Sequence, residues 1–130
     1  MASTFLDASA IVKLVLHEQE SQALIDFLDG RTSVEASELA VAEVGRAVRR
    51  VDPTDAEGDD VLDALTLHRV TPDVLRRAAR LSPPGLRTLD AIHLATVLLH
   101  GDGDGCVVTY DDRFAAAARD HGLRVEQPGR

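Results

Sequence analysis

A short apolar segment near the start of the chain runs directly into a helical pattern, and this changeover constrains the fold most. Residues 4–6 are apolar and β-prone, and Ile11, Leu14 and Val15 then recur at helical spacing. Asp7 lies between the two patterns. Open α/β sheets bind their ligands at the carboxyl ends of the strands, so a carboxylate here is well placed for a site. Asp is also a preferred N-cap residue, and this stretch by itself favours the cap.

The rest of the chain alternates short strand patterns with longer helical patterns, which predicts an α/β domain with a central parallel sheet. We expect four to five short strands with helices on both faces. The predicted strands cover residues 3–6, 32–35, 66–70, 107–109 and 123–126. The predicted helices cover residues 9–17, 20–28, 37–50, 55–65, 74–81, 88–100 and 111–121. The 88–100 segment is apolar on most sides, which predicts a helix buried between the sheet and another helix, with Thr88 as its cap.

Length and composition limit the organisation and the environment of the protein. A chain of 130 residues has the size of one domain, so we expect residues 1–130 to form a single unit. Cys106 is the only cysteine, which excludes an internal disulfide. The N-terminus lacks the pattern of a secretory signal, and no stretch approaches the roughly 20 apolar residues that cross a bilayer. We therefore expect a soluble, cytoplasmic protein without a membrane partner.

The net charge of −8 bears on the choice of partners. Nucleic-acid binding usually depends on Lys and Arg, so this surface as a whole repels phosphate. If the protein acts on RNA or DNA, a local feature has to reverse the sign, and divalent cations held by acidic side chains could do so. A positively charged partner protein would also suit this surface.

Four acidic residues fall at comparable places in the predicted elements. Asp7 and Asp111 follow apolar strands. Asp90 is in the first turn of the buried helix, and Glu43 lies on the third predicted helix. Buried acids are costly unless they are paired or bind a metal, and four converging acids repel one another. Hard cations with oxygen ligands, Mg²⁺ or Mn²⁺, would compensate that repulsion.

Each of these acids also has a purely structural interpretation. Asp7, Asp90 and Asp111 can be first-turn charges that interact favourably with a helix dipole. Glu43 can form an ion pair with Arg46, three residues later on the same helix. The protein would then be a non-catalytic binding module, and the positions of the acids do not by themselves decide between this module and a metal site.

Four segments of the chain resemble the motifs of the PIN-domain ribonucleases, and more narrowly those of the VapC toxins of bacterial toxin–antitoxin pairs. The segments are Leu6-Asp7-Ala8-Ser9-Ala10-Ile11-Val12-Lys13-Leu14, Ala42-Glu43-Val44, Leu89-Asp90-Ala91-Ile92-His93-Leu94-Ala95 and Thr109-Tyr110-Asp111. The resemblance covers nearly the whole chain, and the motifs occur in the right order. The third segment is the most specific of the four.

The resemblance implies a site in which four acids bind one or two divalent ions, Mg²⁺ or Mn²⁺, and cut RNA. Carried over to this chain, these acids are Asp7, Glu43, Asp90 and Asp111. Asp112 offers a neighbouring carboxylate that could replace or assist Asp111. Ser9 and Thr109 are similar to polar positions that support the acids of the family. The candidates for binding the RNA are Arg46, Arg50, Arg87 and Arg113.

In the mechanism that the resemblance implies, an ion-activated water attacks the scissile phosphorus, and no protein nucleophile is needed. Asp7 and Asp90 would be the direct ligands, Asp111 would complete the set, and Glu43 would hold a water or a second ion. His93 lies one turn beyond Asp90. Because Mg²⁺ prefers oxygen ligands, we expect a structural role for His93, with its ring bonded to backbone or to a neighbouring acid.

The resemblance also implies a cognate antitoxin and a homodimer, which together would form a hetero-oligomer. The apolar sides of the helices at 20–28 and 37–50 exceed what one sheet face needs, which agrees with such partners.

Two other enzyme classes also place acids at strand ends, namely receiver domains and haloacid-dehalogenase-type phosphatases. Both require a lysine late in the chain, whereas the only lysine here is Lys13. The phosphatases also usually have a second Asp two residues after the first, and Ser9 occupies that position here. These absences argue against both classes.

Overall fold

The centre of the fold is a parallel sheet of short strands, described by a computed structural model that covers residues 2–54 and 57–130. The strands within these ranges are β1 (Thr4–Leu6), β2 (Val34–Ser37), β3 (Thr66–His68), β4 (Cys106–Val108) and β5 (Val125–Glu126). Their order is β3-β2-β1-β4-β5, and each neighbouring pair is parallel. The predicted α/β class and the predicted parallel sheet are confirmed.

Helices connect the strands throughout. In the described ranges they are α1 (Ala8–Val15), α2 (Ser21–Leu28), α3 (Leu39–Val51), α4 (Glu57–Asp63), α5 (Pro72–Ala79), α6 (Thr88–His100) and α7 (Asp112–Asp120). Most ends differ from the prediction by one or two residues, because capping and fraying at helix ends depend on local contacts. The predicted start of α4 at residue 55 lies outside the described residues. No described helix is long and apolar enough to cross a membrane.

The sheet is covered on both faces, as predicted. Alternate residues of a strand point to opposite faces, so Phe5 and Leu6 enter different cores. Leu6 and Val108 pack in a cluster with residues of α1 to α4. Phe5 and Val107 pack with residues of α6 and α7 on the other side. A further cluster joins α5 to α6.

Helix α6 lies between the sheet and α5, and its residues 91–97 are all buried. This confirms the predicted buried helix. The predicted cap was wrong, because Arg87 and not Thr88 occupies the N-cap position, and no side chain caps the helix. The backbone N–H of Ala91 donates a 2.9 Å hydrogen bond to the Arg87 carbonyl, so the helical bonding begins one residue earlier than predicted.

The strand order creates a switch point beside β1. The chain proceeds from β1 to β2 and β3 on one side, and then returns to place β4 on the other side of β1. In the register of β1 with β4, Leu6 pairs with Val108. Ligand sites of open α/β sheets lie outside the carboxyl ends of the strands at such a point. The residues that follow these two strands, Asp7 and Thr109, are therefore brought together there.

Candidate active site

The carboxylate of Asp7 lies at this switch point, and only 8% of the residue is exposed. Ser9 Oγ and the Ala10 backbone N–H donate hydrogen bonds of 2.6 Å and 3.1 Å to Oδ1. Thr109 Oγ1 donates a 2.5 Å hydrogen bond to Oδ2. Burial raises the pKa of Asp7 above its usual value, although these donors oppose the rise. Asp7 thus caps α1, as its structural interpretation predicted, and it also joins β1 to the end of β4.

Two hydroxyl groups connect the loops that follow β1 and β4. Ser9 Oγ and Thr109 Oγ1 lie 3.3 Å apart. Ser9 Oγ accepts a 2.9 Å hydrogen bond from the Tyr110 backbone N–H. Thr109 Oγ1 accepts a 3.1 Å hydrogen bond from the Asp111 backbone N–H. Because both hydroxyls also donate to Asp7, the backbone that carries Asp111 is held by the same groups that hold the Asp7 carboxylate.

Asp111 and Asp112 are neighbours in sequence but have different surroundings. Asp111 is the N-cap of α7, and its Oδ1 accepts hydrogen bonds from the backbone of Arg113 at 2.9 Å and of Phe114 at 3.2 Å. The Asp112 side chain is 86% exposed and lies 3.6 Å from Arg130. Of the two carboxylates, Asp111 is the one that contributes to the raised pKa of Asp90.

Asp90, in the first turn of α6, lies in the field of the other acids. Burial is the main cause of its raised pKa, and the charge of Asp111 is the second. Glu43 adds a smaller rise, while Arg87 and His93 oppose it. The charges of Glu43 on α3 and of Asp111 before α7 therefore both reach Asp90 on α6.

Glu43 is held by a histidine and not by Arg46. The His93 Nε2–H donates a short hydrogen bond to Glu43 Oε1. His93 is 5% exposed and lies three residues beyond Asp90 on α6. Among the described residues, Arg46 forms no ion pair with Glu43, so the i,i+3 pair of the structural interpretation is absent there. The predicted role of His93, bonded to a neighbouring acid, is confirmed.

The carboxylate oxygens of these acids suit a hard divalent cation, although they do not surround a common binding point. Over residues 2–54 and 57–130, no group of three or more His, Cys, Asp or Glu side chains is placed to hold an ion. The available donors are carboxylate oxygens, which Mg²⁺ and Mn²⁺ prefer. The repulsion that raises the pKa of Asp90 is also what a cation between the acids would relieve. By chemistry and charge the carboxylates of Asp7, Glu43, Asp90 and Asp111 suit such an ion, although no three of them are placed around a common point in the described structure.

Two of the predicted RNA-binding arginines lie next to these acids. Arg87 precedes α6 and opposes the rise in the pKa of Asp90. Arg87, Arg113 and Asp90 line the same surface groove. Arg46 and Arg50 lie on α3, and no contact of either side chain with the four acids is seen among the described residues.

The sequence did not predict a network of contacts that joins the loop carrying Asp111 to the last residues of the chain. The Tyr110 hydroxyl donates a 2.8 Å hydrogen bond to the Pro128 carbonyl. Arg130 Nη1 donates a 3.1 Å hydrogen bond to the Tyr110 carbonyl, and Lys13 Nζ lies 4.8 Å from the centre of the Tyr110 ring. Burial raises the pKa of Tyr110 to about 12. The aromatic residue between Thr109 and Asp111 was the one available signal for this network.

Glu20 completes the network from the start of α2. Its carboxylate accepts a 2.8 Å hydrogen bond from Lys13 and a 3.2 Å hydrogen bond from Arg130. The hydrogen bond from Lys13 is the main reason that the pKa of Glu20 lies below its usual value. We call Lys13, Glu20, Tyr110 and Arg130 the C-terminal clamp, because together they fasten the end of the chain to the loop that carries Asp111.

A family model described as PIN domain matches residues 4–120 of this chain. The chain belongs to the PIN-domain family. It is 46% identical over 129 residues to Ribonuclease VapC46 of Mycobacterium tuberculosis, and the match covers 98% of this chain and 99% of that relative. The predicted membership is confirmed, and this PIN domain is of the VapC type.

Solved structures share the fold of this PIN domain. A toxin–antitoxin complex from Klebsiella pneumoniae matches with a TM-score of 0.72 at 18% identity, over 97% of this chain and 98% of that chain. VapC20 of Mycobacterium tuberculosis, described as a Sarcin-Ricin loop cleaving toxin, matches with a TM-score of 0.72 at 17% identity, over 88% and 95% of the two chains. At these identities the similarity concerns the fold.

Proposed function

We propose that this PIN domain is a divalent-metal-dependent endoribonuclease that acts as the toxin of a toxin–antitoxin pair in the cytoplasm. The observation that carries the proposal is the meeting of carboxylates from separate elements at the carboxyl ends of β1 and β4. Asp7 is buried there, and the Thr109 hydroxyl joins it to the backbone of Asp111. The charges of Asp111 and Glu43 also reach Asp90. A fold that only caps its helices has no need to bring these charges together. The name of the 46% identical relative, Ribonuclease VapC46, supports the same activity.

Each acid has a distinct task in the proposed reaction. Asp7, Asp90 and Asp111 would hold Mg²⁺ or Mn²⁺, and Glu43 would complete the set on the α3 side. A bound ion of this kind lowers the pKa of water for attack on phosphorus and stabilises the leaving oxygen. Ser9 and Thr109 orient the Asp7 carboxylate by donating to its two oxygens.

His93 acts on the reaction through Glu43. Its hydrogen bond fixes one carboxylate oxygen of Glu43, which leaves the other oxygen as the one that could hold an ion or its water. Partners of this kind orient ligands, and their loss typically lowers metal affinity or activity about 10- to 100-fold. Asp112, with its exposed side chain, would support the loop and not the ion.

RNA has to approach a protein whose net charge is −8. We assign the contacts with RNA phosphates nearest to the acids to Arg87 and Arg113, which line the groove beside Asp90. Arg46, which is exposed on α3, would contact RNA farther from the acids. These guanidinium groups and the bound ion would make the electrostatic potential of the surface positive only where the substrate lies.

The proposed protein partners are an antitoxin and a second copy of the chain. Large apolar side chains are exposed on α2 and at both ends of α3, namely Ile25, Val41 and Val51. Others are exposed on α5 and α6, namely Leu75, Leu89 and Leu99. The similar structure from Klebsiella pneumoniae is a toxin–antitoxin complex, and an antitoxin covering one of these surfaces while a homodimer covers the other would hide both sets.

A non-catalytic module is the second candidate, because Asp7 and Asp111 do cap α1 and α7. Asp90 is a first-turn acid of α6, as its structural interpretation also predicts, but it lies in the electrostatic field of Asp111 and Glu43, which a favourable helix dipole does not require. The nuclease predicts that Mn²⁺ raises the melting temperature of the protein, whereas a capping-only module predicts no effect.

The test is Asp90→Asn, which keeps the shape of the side chain and removes its charge. Cleavage of a long single-stranded RNA of mixed sequence in Mg²⁺ should fall at least about 100-fold, because an inner ligand matters at least as much as its supporting groups. Asp63→Asn, at an exposed acid at the end of α4, is the matched control and should cut at the parent rate. Equal cleavage by the Asp90→Asn variant and the parent would refute the nuclease site.

A further inference from the structure

A groove opens beside Asp90, between the loop that precedes α6 and the helix α7. It encloses about 270 Å³. Leu86, Ala116 and Ala117 give it an apolar lining. Two arginines, Arg87 and Arg113, and two carboxylates, those of Asp90 and Asp120, line its edges. Pockets for drug-sized ligands begin at about 300 Å³, so this groove has the size for a single flat ring system and not for a folded segment of a protein.

The groove is formed before any ligand arrives. The Leu86 backbone N–H donates a 2.9 Å hydrogen bond to the Pro83 carbonyl, which closes the turn in the loop. His121 Nε2 donates a 2.7 Å hydrogen bond to the Ser82 carbonyl, which ties the same loop to the end of α7. The Leu86 side chain packs against the clusters on both sides of α6. A ligand that enters therefore does not have to order the wall.

The two arginines of the groove have unused binding capacity. Within the part of the chain that the structure describes, neither guanidinium group forms an ion pair or a side-chain hydrogen bond. Arg87 interacts with Asp90 only through its charge. Free guanidinium groups beside an apolar floor suit a ligand that combines phosphate with an aromatic ring, because guanidinium binds phosphate and also stacks on ring faces.

We infer that this groove is a nucleotide subsite, which binds the base of the nucleotide next to the scissile phosphate. The inference rests on the proposed nuclease function. The base would lie against Leu86, Ala116 and Ala117, while Arg87 and Arg113 contact the adjoining phosphates. Sequence-selective recognition of RNA usually acts on such unstacked bases in single strands and loops. Asp90, which lines the groove and belongs to the acid cluster, makes the subsite continuous with the reaction centre.

Asp120 gives the subsite a preference among the bases. Its exposed carboxylate lines the same groove on the last turn of α7. A carboxylate only accepts hydrogen bonds, and guanine presents two adjacent donors, N1–H and the N2 amino group, on its Watson–Crick edge. Adenine presents one amino donor beside an acceptor nitrogen on that edge. The groove therefore favours guanine over adenine.

The experiment is a titration of the full chain with GMP, AMP and ribose 5-phosphate, followed by the NMR signals of the Ala116 and Ala117 methyl groups. Ribose 5-phosphate has the phosphate but no base. Because a base that lies against Leu86, Ala116 and Ala117 removes apolar surface from water, GMP should bind at least about fivefold more tightly than ribose 5-phosphate and should shift both methyl signals. GMP should also bind about threefold more tightly than AMP, because one extra hydrogen bond is worth about this much.

Two variants test the location of the base. Ala116→Phe fills the groove and should reduce the affinity for GMP to that for ribose 5-phosphate, whereas Ala64→Phe, at an exposed alanine after α4, should leave it unchanged. Asp120→Asn should abolish the preference for GMP over AMP and keep the fold, because the residue is exposed.

Equal affinities for GMP and ribose 5-phosphate would overturn the subsite. Methyl signals that shift when the protein is diluted without any nucleotide would also overturn it, because they would mean that a second copy of the chain occupies the groove. Cleavage of RNA is assayed separately. Base-dependent binding without cleavage would retain the groove as a nucleotide site and refute the nuclease. Cleavage without base-dependent binding would retain the nuclease and refute the subsite.

Discussion

Thr109 Oγ1 donates a 2.5 Å hydrogen bond to Oδ2 of Asp7, although 102 positions separate the two residues in the chain. The bond crosses from the end of β4 to the end of β1, at the switch point of the sheet. It satisfies a carboxylate that burial would otherwise leave without a partner on that oxygen, and it sets the orientation of the proposed inner ligand.

Thr109→Val removes this donor, and with it the acceptor of the Asp111 backbone N–H, while the shape of the side chain is kept. Leaving a buried acceptor without its partner costs about 1–3 kcal/mol, so the free energy of unfolding should fall by this amount in urea denaturation. The Mn²⁺ concentration needed for half-maximal RNA cleavage should rise about 10- to 100-fold, because an oriented ligand is lost. Thr96→Val is the control, since the Thr96 hydroxyl is also buried but donates to the Ile92 carbonyl on its own helix. If both variants behave alike, the bond to Asp7 has no special role.

Asp90→Asn should make the metal-free protein more stable at neutral pH. Burial and Asp111 raise the pKa of Asp90, so its charge opposes folding at pH values above that raised pKa. The unfavourable contribution disappears as the pH falls below the usual value for an unfolded Asp, 3.8. The melting temperature of the variant in EDTA should therefore exceed that of the parent at pH 7. The two melting temperatures should be equal below pH 3.8. Added Mn²⁺ should stabilise the parent more than the variant, and a lower melting temperature of the variant in EDTA would contradict the proposed repulsion.

Glu20→Gln should have the opposite dependence on pH. The hydrogen bond from Lys13 lowers the pKa of Glu20, so this carboxylate stabilises the fold at pH values above its unfolded pKa of 4.5. That stabilisation is lost as the pH falls through the lowered pKa of the folded state. The variant should melt below the parent at pH 7, and the gap between them should close in acid. A gap that is constant with pH would mean that Glu20 acts through packing alone.

Arg130→Ala opens the C-terminal clamp without touching the acids. The Tyr110 carbonyl, Glu20 and the exposed Asp112 each lose a partner, so the loop that carries Asp111 becomes less well held. We expect RNA cleavage to fall about tenfold, since partners that orient a ligand have effects of this size. The readout is kcat against KM, where the loss should be in kcat because the substrate contacts are intact. Arg124→Ala, which removes an exposed pair with Glu126, two residues later in β5, is the control and should leave cleavage unchanged.

Periodicity within the sequence was sufficient for the strands, the helices and the parallel sheet. A strand needs alternating or continuous apolar residues and a helix needs a 3.6-residue repeat, and both patterns are local. These local patterns also identified Asp7 and Asp111 as residues at strand ends and Asp90 as a first-turn acid. It misplaced the cap of α6, because Arg87 enters that position through the path of the preceding loop.

Only the tertiary structure decided which side chains became partners. It paired Glu43 with His93, 50 residues away, and not with Arg46 on the next turn of the same helix. It also separated Asp111 from Asp112 and brought the end of the chain to Tyr110. The physical reason is that the conformation of a segment follows from its neighbours in sequence, whereas the partner of a polar group depends on which elements pack against each other and on which donors burial leaves within reach.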